Sequence, residues 1–271
     1  MKLLNGKVIS EQIISVIKQN VSHSAQVPGL GVILVGNDPA SHLYVSLKEK
    51  ACLKAGINFE KFVFPAAVSE TELLKKIDEL NNRKDIHGIL VQLPLPQQNP
   101  DQIISAIDPS KDVDGFHSEN LCSLESGKKC LISPVVLGVV RLINETREPL
   151  AQKNVVLVMS KIFARPFYTV LSGSGAQVEV VSPDSKNLEE KTKTADFLIT
   201  AVGQPNLITG KMVKEGAIVI DIGTSRVGKK VVGDVEYTSV EKKASWLTPV
   251  PGGVGPMTVA MLLQNVLVAS R

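Results

Sequence analysis

Short apolar runs rich in β-branched residues recur along this chain, most of them separated by stretches with helical periodicity. "GLGVILVG" (29–36), "HGILVQLPLP" (87–96), "VVLVM" (155–159), "ADFLITAVG" (195–203) and "GAIVIDIG" (216–223) are too short for helices and too uniformly apolar for half-exposed strands. Such runs are strands buried on both faces, and alternation with helices makes the sheet parallel. This pattern constrains the fold more than any other feature. An α/β chain must carry crossover helices on its sheet faces, and its ligands gather outside the carboxyl ends of the strands.

The punctuation agrees. Pro39 opens a helix, "ASHLYVSLKEKACLKAG", that Gly56 stops; "FEKFVFP" alternates like a strand; and Ser69 with Glu72 forms a capping box ahead of "LLKKIDELNN". The first part of the chain reads helix, strand, helix, strand, helix, strand. From Asp112 to Lys129 the text turns polar and Gly/Ser-bearing, as a hinge would. The alternation then restarts: "SPVVLGVVRLINE" is a helix, "VVLVM" a strand, "ARPFYTVLSGSG" a helix, then "QVEVVS", "ADFLITAVG" and "GAIVIDIG" as strands. "GPMTVAMLLQNVLVASR" closes the chain as a helix after a Gly-Pro turn. The expected fold is α/β with two αβα lobes and a cleft between them. The boundaries are 1–120, completed by the C-terminal helix 255–271, and 121–254.

Bulk properties exclude several classes. A net charge of +3 is too small for a nucleic-acid or membrane-surface partner, and no apolar run is long enough to span a bilayer. Cys52, Cys122 and Cys130 have no metal-ligand spacing, so no metal is expected, and reduced thiols fit a cytoplasmic location.

Some residues are placed for chemistry. Tyr44 and Lys48 lie four apart, on one face of the helix that follows the first buried strand. A lysine amine desolvated there becomes an acid/base near neutral pH; the plainer reading is an exposed lysine and a half-buried tyrosine. Gln92, flanked by Val91 and Leu93, is an amide in an otherwise apolar strand and needs a partner. It serves either loop backbone or a neighbour such as Lys48. In "KDVDG", Asp112 and Asp114 are turn chemistry, or a carboxylate awaiting paired N–H donors such as those of an aminopyrimidine. "TPVPGGVGPMT", with three glycines and three prolines, is a kinked loop that lets backbone approach a ligand. "NVVLVMSKIFARP" (154–166) is the strand-to-helix turn where an α/β fold cradles a dinucleotide phosphate, yet it has no glycine.

Together, "VGNDPASHLYVSLKEKACLKAGI", "GILVQLPLP", "DPSKDVDGFH", "GAIVIDIG", "VVGDVEY" and "TPVPGGVGPMTVAMLLQN" resemble the bifunctional methylenetetrahydrofolate dehydrogenase/methenyltetrahydrofolate cyclohydrolase family. The resemblance implies an N-terminal folate-binding catalytic lobe and a C-terminal Rossmann-type nucleotide lobe. It implies oxidation of 5,10-methylenetetrahydrofolate with NAD(P)+, then hydrolysis of the methenyl product to 10-formyltetrahydrofolate, in the one-carbon metabolism that feeds purine, methionine and histidine synthesis. Lys48 would be the central acid/base, Tyr44 would stack on the folate rings, Gln92 would tune Lys48, and Asp114 would hold the pterin N–H groups. Val91, Leu93, Pro251, Gly252, Gly253 and Val254 would complete the substrate contacts. A homodimer is implied as well.

The nucleotide lobe departs from the family pattern. Where relatives read Gly-x-Ser-x-x-Val-Gly-x-Pro, this chain keeps Ser160 and Pro166 but carries Val158 and Ala164. Met159 stands where many NADP-using members place a basic residue, and Ser182-Pro183 ends the next strand. NADP is the cofactor by family habit, and Met159 admits NAD. Val158, Met159, Ser160, Ser182 and Thr224 are the expected cofactor contacts, with Val158 projecting toward the pyrophosphate. Two other readings stay open: a cyclohydrolase with weak or lost dehydrogenase activity, and a non-catalytic folate-binding protein.

Overall fold

A computed structural model of the chain describes residues 1–228 and 230–271. Two compact units emerge, one of residues 10–134 with 259–271, the other of residues 1–9 with 135–258. The chain passes between them within α1 (Gly6–Ser22), at the start of α6 (Pro134–Thr146) and within α10 (Val254–Ala269).

The first unit is built on a three-stranded parallel sheet in the order β3-β2-β4, with β2 (Gly29–Val35) between β3 (Asn58–Phe64) and β4 (Gly88–Val91). β2 is buried along its whole length, as a central parallel strand must be. Its side chains alternate between two cores. Leu30, Val32 and Leu34 pack with Ile17, Val45 and Cys52, whereas Ile33 and Val35 pack with Leu73, Ile77 and Leu80. α2 (Pro39–Ala55) starts at the expected proline, capped by the Asp38 carboxylate on the Ser41 N–H, and ends at Gly56 with φ 77°. The Ser69 hydroxyl caps α3 (Glu70–Asn82) by accepting the Glu72 N–H. A short α4 (Pro100–Ile104) follows β4.

Several expectations are corrected. The segment expected as a hinge contains a helix, α5 (Ser118–Glu125), whose entry is fixed by Asp112: its carboxylate accepts the Gly115 and His117 N–H groups and the Asn120 amide. The expected limit at residue 120 therefore moves to 134, because this loop and helix stay tied to the first unit. Residues 1–9, expected there too, belong to the second unit, since β1 (Lys2–Leu3) pairs in parallel with β11 (Trp246–Leu247). The last helix begins at Val254, so Gly255 and Pro256 lie in its first turn, where proline's missing N–H costs no hydrogen bond.

The second unit carries a six-stranded, all-parallel sheet ordered β1-β11-β8-β7-β5-β6. Its remaining strands are β5 (Asn154–Met159), β6 (Gln177–Val181), β7 (Phe197–Ala201) and β8 (Ile218–Asp221). The chain runs from β5 outward to β6, then back across β5 to β7. That reversal is a topological switch point, and it opens a crevice at the carboxyl ends of β5 and β7. Helix α7 (Lys161–Gly173) leaves β5 through the single residue Ser160 and α8 (Leu188–Thr192) follows β6; beyond β8 come the hairpin β9 (Ser225–Val227) and β10 (Lys230–Val232), then α9 (Tyr237–Val240).

Gly29 marks the tightest approach in the first sheet. A Cβ there would lie 2.0 Å from the Asp85 carbonyl oxygen. Gly29→Ala is expected to cost about 1–3 kcal/mol of stability, since backbone rather than a movable side chain must yield. An unchanged urea midpoint would show that the 85–86 turn moves freely.

Candidate active site

In the first unit, β2 and β4 bring two of the expected residues together. The Gln92 N–H donates to the Ile33 carbonyl at 2.9 Å, which extends the β2–β4 pairing by one residue and fixes Gln92 at the carboxyl edge of the sheet. α2 leaves the same edge after Asp38, and three turns in it presents Lys48. The Lys48 Nζ donates to Gln92 Oε1 at 2.8 Å. The Gln92 amide donates at its other end to the Leu93 carbonyl, 2.7 Å away, so its oxygen is committed to the lysine. Val91 is buried and Leu93 half-buried on either side.

Lys48 is half-buried. Burial pulls its pKa below the usual 10.5, and the negative charge of Asp114 opposes that shift. Asp114 shows the complementary effect: burial pushes its carboxyl up to about 6, against the pull of Lys48. Each group is thus held nearer to neutral pH than in water. Tyr44, one turn before Lys48 on α2, is 40% exposed, with its ring available for stacking.

The two neighbouring aspartates have opposite fates. Asp112 is buried and consumed by the loop it caps. Asp114 is half-buried, and among the described residues no hydrogen bond to its carboxylate is found. Its backbone is held from both sides. The Asn265 amide of α10 donates to the carbonyls of Val113 (2.9 Å) and Ile132 (2.8 Å), and Gly115 has φ 69° with Ser133 backbone packed where a Cβ would go. Asn265 was missed by sequence reasoning, since an asparagine within an apolar helix carries no mark of the carbonyls it meets.

The three cysteines are free thiols, and burial pushes Cys52 up to about 12, which makes it inert. Among the described residues no cluster of His, Cys, Asp or Glu could hold a metal, and no helix is long and apolar enough to cross a membrane.

In the second unit a cavity of about 680 Å³ opens at the switch point. It is lined by residues at or just beyond the carboxyl ends of β5 (Met159, Ser160), β6 (Ser182, Pro183, Asp184), β7 (Ala201 to Gln204) and β8 (Ile222, Gly223), together with Phe163. Met159, Ser160 and Ser182 were expected here. Val158 was not correctly placed: it is 0% exposed and packs in the core with Val156, Val181 and Leu198. Side chains alternate along a strand, so Met159 rather than Val158 meets the cavity. Thr224 is exposed and outside the lining, where Ile222 and Gly223 stand instead.

The cavity fits a dinucleotide. Ser160 caps α7, its hydroxyl accepting the Phe163 N–H and its carbonyl the Ala164 N–H. The first-turn N–H groups of Lys161 and Ile162 have no such intrahelical acceptor, and the positive end of a 13-residue helix is suited to phosphate. The residues standing in place of the glycines do not obstruct it, because neither Val158 nor Ala164 lines the cavity.

Pro251, Gly252, Gly253 and Val254 belong to the second unit as this structure divides. There the Lys7 N–H donates to the Gly252 carbonyl at 2.9 Å, and Gly252 has φ 107°. Two further buried carboxylates, Asp221 and Asp234, lie behind the cavity wall; burial pushes Asp221 up to about 7.

Comparison with known proteins also gives two domains, whose limits differ from the structural units at both ends of the chain. A family model described as the tetrahydrofolate dehydrogenase/cyclohydrolase catalytic domain matches residues 4–114, and one described as the NAD(P)-binding domain of the same enzymes matches 133–271. The bifunctional protein FolD of Nautilia profundicola is 46% identical over 277 residues, covering 100% of this chain and 98% of the relative. The crystal structure of the bifunctional FolD methylenetetrahydrofolate dehydrogenase/cyclohydrolase from Campylobacter jejuni superposes with a TM-score of 0.95 at 42% identity, over 100% of this chain and 98% of that one. The methylenetetrahydrofolate dehydrogenase-cyclohydrolase of Trypanosoma brucei, solved with NADP and an inhibitor, gives 0.94 at 31% identity, over 98% and 96%.

The electrostatics make a direct prediction. Asp114→Asn removes the charge that favours the Lys48 ammonium, so the Lys48 pKa, already below 10.5, should fall further. The pH dependence of Lys48 acetylation, followed by peptide mass spectrometry, reads this. A midpoint that stays put or rises in the variant would mean the two groups are not coupled.

Proposed function

Because the chain belongs to the tetrahydrofolate dehydrogenase/cyclohydrolase family, we propose that it oxidises 5,10-methylenetetrahydrofolate to 5,10-methenyltetrahydrofolate and hydrolyses that product to 10-formyltetrahydrofolate. The observation that carries this reading is the 2.8 Å hydrogen bond from a desolvated Lys48 to Gln92, with Asp114 nearby as the opposing charge.

The chemistry needs an amine that is neutral near pH 7. A methenyl cation repels an ammonium, and a neutral amine can take a proton from water. In hydrolysis, water adds to the methenyl carbon and Lys48 takes the proton that the water loses. The resulting carbinolamine collapses as its hydroxyl proton passes to N5 and the C–N5 bond breaks, leaving the formyl group on N10. Gln92 fixes the direction of the amine. Tyr44 offers its ring to the folate heterocycle, and the unpaired carboxylate of Asp114, largely ionised at pH 7, accepts N–H donors of the aminopyrimidine. Val91, Leu93 and Pro251 to Val254 are proposed as the remaining substrate contacts.

A nicotinamide dinucleotide supplies the hydride acceptor when bound. Met159, Ser160, Ser182 and the first turn of α7 would hold it. The NADP complex of the Trypanosoma brucei relative supports NADP+. One observation favours NAD+ as a second reading: among the described residues the cavity lining includes Asp184 and no Lys or Arg. An acidic residue after the second strand of such a unit suits a ribose hydroxyl and repels a 2′-phosphate.

Absorbance assays test these points together. Purified protein with methylenetetrahydrofolate should reduce one or both nucleotides, and the preferred one identifies the cofactor. Lys48→Met should lower kcat for methenyl hydrolysis by about 10²–10⁴-fold. Near wild-type hydrolysis by that variant would place the base elsewhere and sink the assignment.

A further inference from the structure

We propose that Asp234 is a positioning residue for the cavity of the second unit, acting with Asp221 as a buried clamp that holds the cavity wall in shape. The inference rests on reading that cavity as the dinucleotide site.

The clamp is a chain of hydrogen bonds through two carboxylates. Asp234 is 0% exposed, and its carboxylate accepts the Thr200 hydroxyl at 3.0 Å and the consecutive N–H groups of Val202 (2.6 Å), Gly203 (2.9 Å) and Gln204 (3.0 Å). Those last three residues line the cavity. Asp221, 3% exposed, accepts the N–H groups of Gly223 (2.9 Å), Asp234 (3.1 Å) and Val235 (2.9 Å). Gly223 also lines the cavity. Asp221 thus fixes the backbone that carries Asp234, and Asp234 fixes the wall.

The sequence around the clamp is built to admit it. A Cβ on Gly223 would lie 2.2 Å from the Asp234 carboxyl carbon, and one on Gly233 would lie 1.9 Å from an Asp221 carboxylate oxygen. This accounts for Gly223 in "GAIVIDIG" and Gly233 in "VVGDVEY", which the folate chemistry leaves unexplained. No Lys or Arg is bonded to either carboxylate among the described residues, so backbone N–H groups and one hydroxyl offset the burial of charge. Apolar packing could stabilise the same core without that desolvation cost. What apolar packing cannot do is hold three successive N–H groups of a glycine-bearing loop in one geometry.

Asp234→Asn tests the proposal, because the amide keeps the volume but presents an NH2 to donors that need acceptors. The expected results are protection against amide exchange lost at Val202 to Gln204 and a Kd for NAD+ or NADP+ raised about tenfold or more, since small misplacement of a binding wall is costly. The KM for methylenetetrahydrofolate should change far less than the KM for the nucleotide. A folded variant, with wild-type circular dichroism, that binds both nucleotides normally would overturn the proposal. Should Asp234→Asn fail to fold, Thr200→Val removes one donor alone; it should weaken nucleotide binding measurably, and unchanged binding would equally overturn the clamp. If the wild-type protein binds neither nucleotide, the cofactor reading fails instead, and the exchange data at 202–204 still decide whether the clamp exists.

Discussion

The hydrogen bond from Lys48 to Gln92 is the interaction on which the catalytic unit depends. It joins the first helix after β2 to the residue just beyond β4, 44 positions apart in the chain. Parallel pairing of β2 with β4 makes the contact possible, because both strands then end at the same edge. Without the glutamine, a half-buried amine would have no fixed direction. Burial in turn lowers the lysine's proton affinity, so it gives up its proton more readily than it would in water. Position and proton affinity therefore come from the same packing.

Aspartates shielded from water do three different jobs in this protein. Asp112 is spent on the loop that leads into α5, and Asp234 on the wall of the cavity in the second unit. Each is surrounded by backbone N–H donors, which must find acceptors wherever a tight loop cannot form ladder bonds. Asp114 has no such donors around it among the described residues, and burial leaves its carboxyl at about 6. A carboxylate left open in this way is one that a ligand can satisfy. The contrast between Asp112 and Asp114, two residues apart, shows how loop geometry satisfies one carboxylate and leaves the other open.

Much of this was legible in the sequence, for identifiable reasons. The central strands of both sheets announced themselves through apolar, β-branched runs, β3 through alternation, and α2 and α3 through Pro39, Gly56 and the Ser69 cap. Lys48 and Gln92 stood out because a cation at a sheet edge and an amide in an apolar strand both demand an explanation. The misses were short or non-local. β1 and β11 are two-residue strands with no period to detect, and α5 lay in a polar stretch whose order comes from Asp112. Val158 was misassigned because an alignment of motifs does not reveal which face of a strand a side chain takes.

The sequence by itself determined the α/β class, the parallel pairing of strands and the residue types available for acid/base work, since periodicity and turn chemistry are local properties. Only the tertiary structure decided where the units divide, which of two aspartates two residues apart remains open, and that Met159 rather than Val158 lines the cavity. It also brought Asp221 and Asp234 into one hydrogen-bonded chain. The reason is physical: hydrogen-bond satisfaction and burial are set by residues distant in the chain, and no local pattern encodes which partners folding will bring.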